Sequence, residues 1–142
     1  MSAPKFFTFR ELTRTGTGLD NVPEWESLSN LWKLAYFLDD VRKDFRGPIR
    51  VNSGFRSEAV NKAVGGVPGS AHTRGLAADV CAAEGSEGAN RRLLDVLRKR
   101  LFIVDQLIVY TREPGNRESP IRFFHVGLAP ADDPGRNMEL WK

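Results

Sequence analysis

Histidine is scarce in this chain, with two among 142 residues. His72 lies in the run SAHTRGLAAD at 70–79, seven residues ahead of Asp79, and His125 lies in FFHVGL at 123–128. Two imidazoles and a carboxylate are the nitrogen and oxygen donors of a hydrolytic zinc site, which takes three protein ligands and leaves a fourth position for water. The residues between His72 and Asp79 include the small Gly75, Ala77 and Ala78, so the backbone can bend tightly there. Spacing alone leaves a second reading open. A lone histidine beside a strand is commonly a satisfied core or surface residue, and a nearby acid adds little in a chain with 18 of them.

The elements that must position these side chains follow from periodicity. Residues 1–22 read as an irregular arm with turn-prone Gly16, Gly18 and Asp20-Asn21. Leu28, Leu31, Leu34, Ala35, Leu38, Val41 and Phe45 recur at helical spacing, predicting a long helix over 24–45 that Pro23 opens and Gly47-Pro48 stops. IRVNS (49–53) reads as a strand. SEAVNKAVGG (57–66) reads as a short helix capped by Ser57, with Gly65 past its end. A loop carries His72 into a strand over 76–82, where Ala77, Asp79 and Cys81 share one face. Residues 87–101 read as a helix, with Leu93, Leu94, Val96, Leu97 and Leu101 inward and Arg91, Arg92, Arg98 and Lys99 outward. Strands over 103–110 and 121–128 form a hairpin across TREPGNRESP, and the tail reads as a loop ending in a helical turn or coil. The expected fold class is α+β, an antiparallel sheet with packed helices in one domain over 1–142.

Composition narrows the classes. The chain is 41% hydrophobic, enough for a core without disulfides, and Cys81 is its only cysteine, which rules out a disulfide framework and a thiolate zinc cluster. Cys81 as a fourth ligand would close the site to water, and it reads better as a small buried hydrophobe. The start has no long apolar stretch and no run elsewhere could span a bilayer. The expectation is a monomer made in the cytoplasm without a signal peptide, reaching a cell wall only after release or as part of a phage particle. The net charge of +3 favours anionic partners. The basic run Arg98-Lys99-Arg100 reads as a solvated helix face, because no aromatic residues are interleaved with it as single-strand binding requires. Neither nucleic acid nor membrane insertion is expected.

The wider pattern settles the choice left open by spacing. SGFRS at 53–57, SAHTRGLAAD at 70–79 and FHVGL at 124–128 together resemble the M15 family of zinc D-Ala-D-Ala carboxypeptidases and phage peptidoglycan endopeptidases, whose fold is shared with the hedgehog signalling domain. The family motif Ser-x-His-x-x-Gly-x-Ala-x-Asp is complete in Ser70, His72, Gly75, Ala77 and Asp79. FRELTRTGTGLDNVP, DQLIV and the closing GRN are similar to the small phage-associated branch, so the likeness runs over nearly the whole chain. It implies a hedgehog/DD-peptidase-like fold, a Zn2+ cofactor held by His72, Asp79 and His125, and peptidoglycan stem peptides as partner. Arg56 then matches an active-site arginine that binds the substrate carbonyl or developing oxyanion, and its alternative is a structural arginine on loop carbonyls. Ser70 contacts substrate or holds its own loop.

The sequence departs from the family at the general base. Relatives carry an acid three residues before the last histidine ligand or two residues after DQLI, and here these positions hold Arg122 and Tyr110. Glu113 and Glu118 in the connecting segment are the substitutes, with Glu118 taken as the candidate. Asp105 reads as structural. Tyr110 is the candidate hydrogen-bonding partner of the reacting oxygen, being a poor base at its ordinary pKa near 10. The function expected is a zinc peptidase cutting peptidoglycan stems. The alternative is a catalytically impaired zinc-binding structural or cell-wall-binding module of a phage or prophage.

Overall fold

The computed structural model describes residues 2–142, so Met1 of the predicted arm lies outside the described residues. The arm is less irregular than expected. Phe9–Leu12 forms a one-turn helix, α1, capped by the Thr8 hydroxyl accepting from the Glu11 amide, and it buries Leu12. The buried Asp39 carboxylate accepts the Lys5 and Phe6 amides and ties the start of the chain to the next helix.

That helix, α2, spans Trp25–Phe45 and buries Leu31, Leu34, Ala35, Leu38, Val41 and Phe45, the stripe the periodicity predicts. Its stop differs in detail. Arg46, not Gly47, takes the left-handed conformation (φ 58°), with its amide on the Arg42 carbonyl. Pro48 disfavours helical backbone at Gly47, so the chain must leave the helix one residue earlier. α3 covers Glu58–Ala63 with Ser57 as its cap, and α4 covers Glu87–Arg98 with Ser86 as its cap. Leu101 falls beyond α4, in a 3₁₀ turn over Leu101–Ile103 that takes the first residue predicted for the next strand, which begins only at Gln106.

Among the described residues five strands form one sheet in the order β1-β2-β4-β3-β5. They are β1 Ile49–Ser53, β2 Ala77–Ala82, β3 Gln106–Thr111, β4 Ile121–Gly127 and β5 Met138–Trp141. β3 and β4 make the expected hairpin, and β1–β2 and β2–β4 are also antiparallel. The sheet is antiparallel as expected except at β5, which pairs parallel with β3 and takes the place of the helical turn or coil predicted for the tail. The chain runs along β3, returns on β4, and crosses the start of β3 to lie on its free edge. A left-handed turn at Gly135 and Asn137 and the Asn137 side chain on the Leu101 and Val104 carbonyls hold that crossing.

Strand alternation splits the sheet into two faces. Ala78, Val80, Ala82, Leu107, Val109, Phe124 and Val126 join α2 and α4 in the apolar core. The opposite face carries Asp79, Ile108, Tyr110, Phe123 and His125, and the functional site lies there.

Candidate metal centre

β2 and β4 align Asp79 opposite His125, and β3 places Ile108 against His125 from the other side. His72 arrives from the 3₁₀ turn Ala71–Arg74, which the Ser70 hydroxyl caps by accepting the His72 amide. Gly75 ends this turn with φ +73°, and a side chain there would stand 2.3 Å from the Ser27 carbonyl oxygen of α2. The family-type glycine is thus required twice, for its backbone angle and for its lack of bulk.

The side chains converge as the sequence predicts. Asp79 Oδ1 lies 3.3 Å from His72 Nε2 and 3.1 Å from His125 Nδ1, and one donor atom from each residue lies within 4.8 Å of the others. His72 is buried, and its Nδ1 lies 2.7 Å from the Gly54 carbonyl oxygen. Donation of Nδ1–H to that carbonyl fixes the ring with Nε2 toward Asp79, the nitrogen left for a metal to take. Burial pushes the Asp79 carboxyl up, but hydrogen bonds from His125 and His72 and their charges outweigh it and hold the group well below the usual carboxylate range. An ionised carboxylate between two imidazoles, beside an open cleft, fits a divalent cation of the zinc type.

Arg56 forms the wall next to Asp79. Its guanidinium donates to Ser53 Oγ at 3.0 Å, Asn61 Oδ1 at 3.3 Å and Asp79 Oδ2 at 3.4 Å, and its amide donates to the His72 carbonyl at 3.1 Å. The guanidinium thus bonds side chains, not the loop carbonyls of the structural reading, and it lines the cleft beside the metal candidates. Tyr110 stacks on Phe123 with ring centroids 4.5 Å apart. Burial and the Asp79 charge raise the Tyr110 pKa, with Arg56 partly opposing, so its hydroxyl keeps its proton at neutral pH.

The cleft above these residues has a volume of about 590 Å³ and includes Ser70, Arg56, Tyr110 and all three metal candidates. Glu118 is not among its lining residues, and neither is Glu113, whose carboxylate binds Asn116 Nδ2 at 2.7 Å within the β3–β4 connection. Arg122 is exposed beside a register shift in β4 and does not line the cleft. Asp105 does line it, but Arg136 engages both its oxygens, at 3.0 and 2.8 Å. Cys81 is buried near Arg50 and Asn52 and outside the metal cluster. The basic run is committed to acids, with Arg98 on Glu139, Lys99 on Asp44, and Arg100 on Asp40 and Asp44.

Sequence reasoning missed the supporting residues. The Gly54 carbonyl aims His72, and Asn61 braces both Arg56 and the Val67 carbonyl. Asn21 links Phe55, Thr13 and Ser57, holding the SGFRS turn against the arm. Only SGFRS itself carried a signal for them.

A family model described as Peptidase M15 matches residues 5–106. That span includes His72, Asp79 and Arg56 and stops before β4, which supplies His125. No curated protein matches the chain.

Proposed function

The chain belongs to the peptidase M15 family, and from that premise we propose that it is a zinc-dependent peptidase acting on the peptide stems of bacterial peptidoglycan. The observation that carries this reading is the convergence of His72, Asp79 and His125 on one point at the floor of an open cleft. Those three residues would hold the zinc, which when bound polarises a peptide carbonyl and acidifies a water molecule.

The chain's own residues have separable parts in this account. The Gly54 carbonyl orients the His72 imidazole, and Asp79 stands between the two rings as the carboxylate of the cluster. Arg56, fixed by Ser53 and Asn61, presents its remaining N–H groups toward the cleft as donors to the carbonyl oxygen of the scissile bond. Tyr110, protonated and stiffened by Phe123, lines the same cleft as a hydrogen-bond donor for the reacting oxygen. Ser70 caps the turn that delivers His72, which supports its loop role.

Among the described residues the cleft holds no carboxylate free to accept a proton, since Asp79 belongs to the metal cluster and Asp105 to Arg136. The same observation favours a second reading, a zinc-binding module of a phage or prophage that has lost peptidase activity. Mass spectrometry of defined stem peptides incubated with the zinc-loaded protein separates the two. The peptidase reading expects a product that the His72→Ala variant does not form. One tightly bound zinc with no product from any stem supports the binding module.

A further inference from the structure

Asn61 lies behind the cleft, and two of the cleft's walls meet at its side chain. It is buried in α3 and does not itself line the cleft. Its Oδ1 accepts from Arg56 Nη1 at 3.3 Å, and its Nδ2 donates to the Val67 carbonyl at 3.0 Å. A guanidinium only donates and a carbonyl only accepts, so one orientation of the amide satisfies both.

Arg56 is the first of these walls. Its other acceptors, Ser53 and Asp79, face each other across β1 and β2 and hold Nε and Nη2. Asn61 is the one acceptor of the three that lies off the sheet and outside the metal cluster. The second wall is the segment 64–70, of which Val64, Gly66, Val67 and Ser70 line the cleft. Asn61 holds it at two points. Its backbone carbonyl accepts the Gly66 amide at 2.8 Å, and the Val67 carbonyl that its side chain reaches also accepts the Ser70 amide at 3.1 Å. Ser70 in turn caps the turn that bears His72. A Cβ on Gly66 would stand 2.0 Å from Asn61 Oδ1, so the amide keeps its place only because residue 66 has no side chain.

We infer that Asn61 is a positioning residue that fixes the Arg56 guanidinium and the 64–70 wall as one unit. The inference rests on the peptidase reading for the part Arg56 plays in turnover, whereas the positioning itself is measurable without turnover. Asn61 touches no substrate. It acts on kcat through Arg56, because a donor held in place stabilises developing charge without reorganising, and on KM through Val67. The two bonds use different atoms and are therefore separable. Asn61→Asp keeps an acceptor for Arg56 and loses the donor to Val67, Asn61→Ala loses both, and Gly66→Ala displaces the amide while leaving Asn61 in the chain.

The test is steady-state kinetics of the zinc-loaded protein on a stem peptide, paired with nitrogen NMR of the Arg56 guanidinium, whose restricted rotation reports its anchoring. Asn61→Ala is expected to lower kcat roughly tenfold, to raise KM and to free the guanidinium rotation. Asn61→Asp should keep kcat within about threefold of the parent and the rotation restricted, while KM rises as in Asn61→Ala. Gly66→Ala should reproduce the kcat loss and the free rotation of Asn61→Ala. In an Arg56→Met background, Asn61→Ala should lower kcat no further, since a residue that acts through another is not additive with it. Parent-like Arg56 rotation in both Asn61→Ala and Gly66→Ala would overturn the inference, as would a full further loss of kcat in the Arg56→Met background. A parent protein that cuts no stem, with Asn61→Ala still freeing Arg56, would overturn the peptidase reading alone.

Discussion

Arg56 joins support and chemistry in one side chain. It touches Ser53, Asn61 and Asp79 while its backbone anchors the turn bearing His72, so its geometry and that of the metal ligands are set together. Lysine keeps the charge but loses the planar fork. Arg56→Lys should lower kcat on a stem peptide roughly 100-fold, the usual loss for one preorganised oxyanion donor. Zinc affinity should fall only about tenfold, the lower end for a partner of a metal ligand. Metal titration and steady-state kinetics on the same sample check both values. The ligands themselves were legible because histidine is rare and the motif from Ser70 to Asp79 is compact. Gly54 was not legible as a partner of His72, because its contribution is a carbonyl, and every residue carries one. Glu118 illustrates the opposite difficulty. Its proximity in sequence to β4 suggests access to the metal, yet the connection it sits in does not fold over the cleft.

At the scale of elements, two short devices hold the site together. The first is the turn ended by Gly75, where an added Cβ meets the α2 backbone. Gly75→Ala must strain a positive φ and push two elements apart. It should cost about 2 kcal/mol or more and weaken zinc binding with it, as thermal unfolding with and without metal would show. The second is the tail strap. The Arg136 hydrogen bonds pull the Asp105 carboxyl below its ordinary value, so the folded chain holds fewer protons there than the unfolded one. The resulting stability is fully present above the ordinary carboxylate value of about 3.9 and disappears as pH falls through the lowered one. Asp105→Asn should therefore melt earlier than the parent at neutral pH, with the gap closing in acid. Equal gaps at both ends of the pH range would contradict this role. The long helix and the hairpin were readable from periodicity, which extends over many residues in both. β5 was not, because Met138–Trp141 is four residues long and its strand character depends on the exposed edge of β3, a non-local fact.

Across the whole molecule, the sheet separates a packed face from a reactive one. Val80, Phe124 and Val109 are fully buried beneath α2 and α4, and their strand neighbours Asp79, Ile108, Tyr110, Phe123 and His125 face the cleft. Alternation made this division legible once the strands were placed, since each metal ligand on a strand lies between core residues. Among the described residues no helix is long and apolar enough to cross a membrane. Metal binding to the folded state alone should stabilise the entire fold. At free zinc one hundred times Kd the gain is about 2.7 kcal/mol, or about 5–10 °C in Tm for a domain of this size. His72→Ala should lose that shift in calorimetry. The central claim is that one zinc site is built jointly by the turn before β2, by β2, and by the last antiparallel strand, β4, beyond the reach of the family match. The most direct test is zinc titration of the parent and of His125→Ala. The account predicts one zinc per chain in the parent and an affinity lower by roughly 100-fold or more when this ligand is removed. An unchanged stoichiometry and affinity in His125→Ala would contradict it.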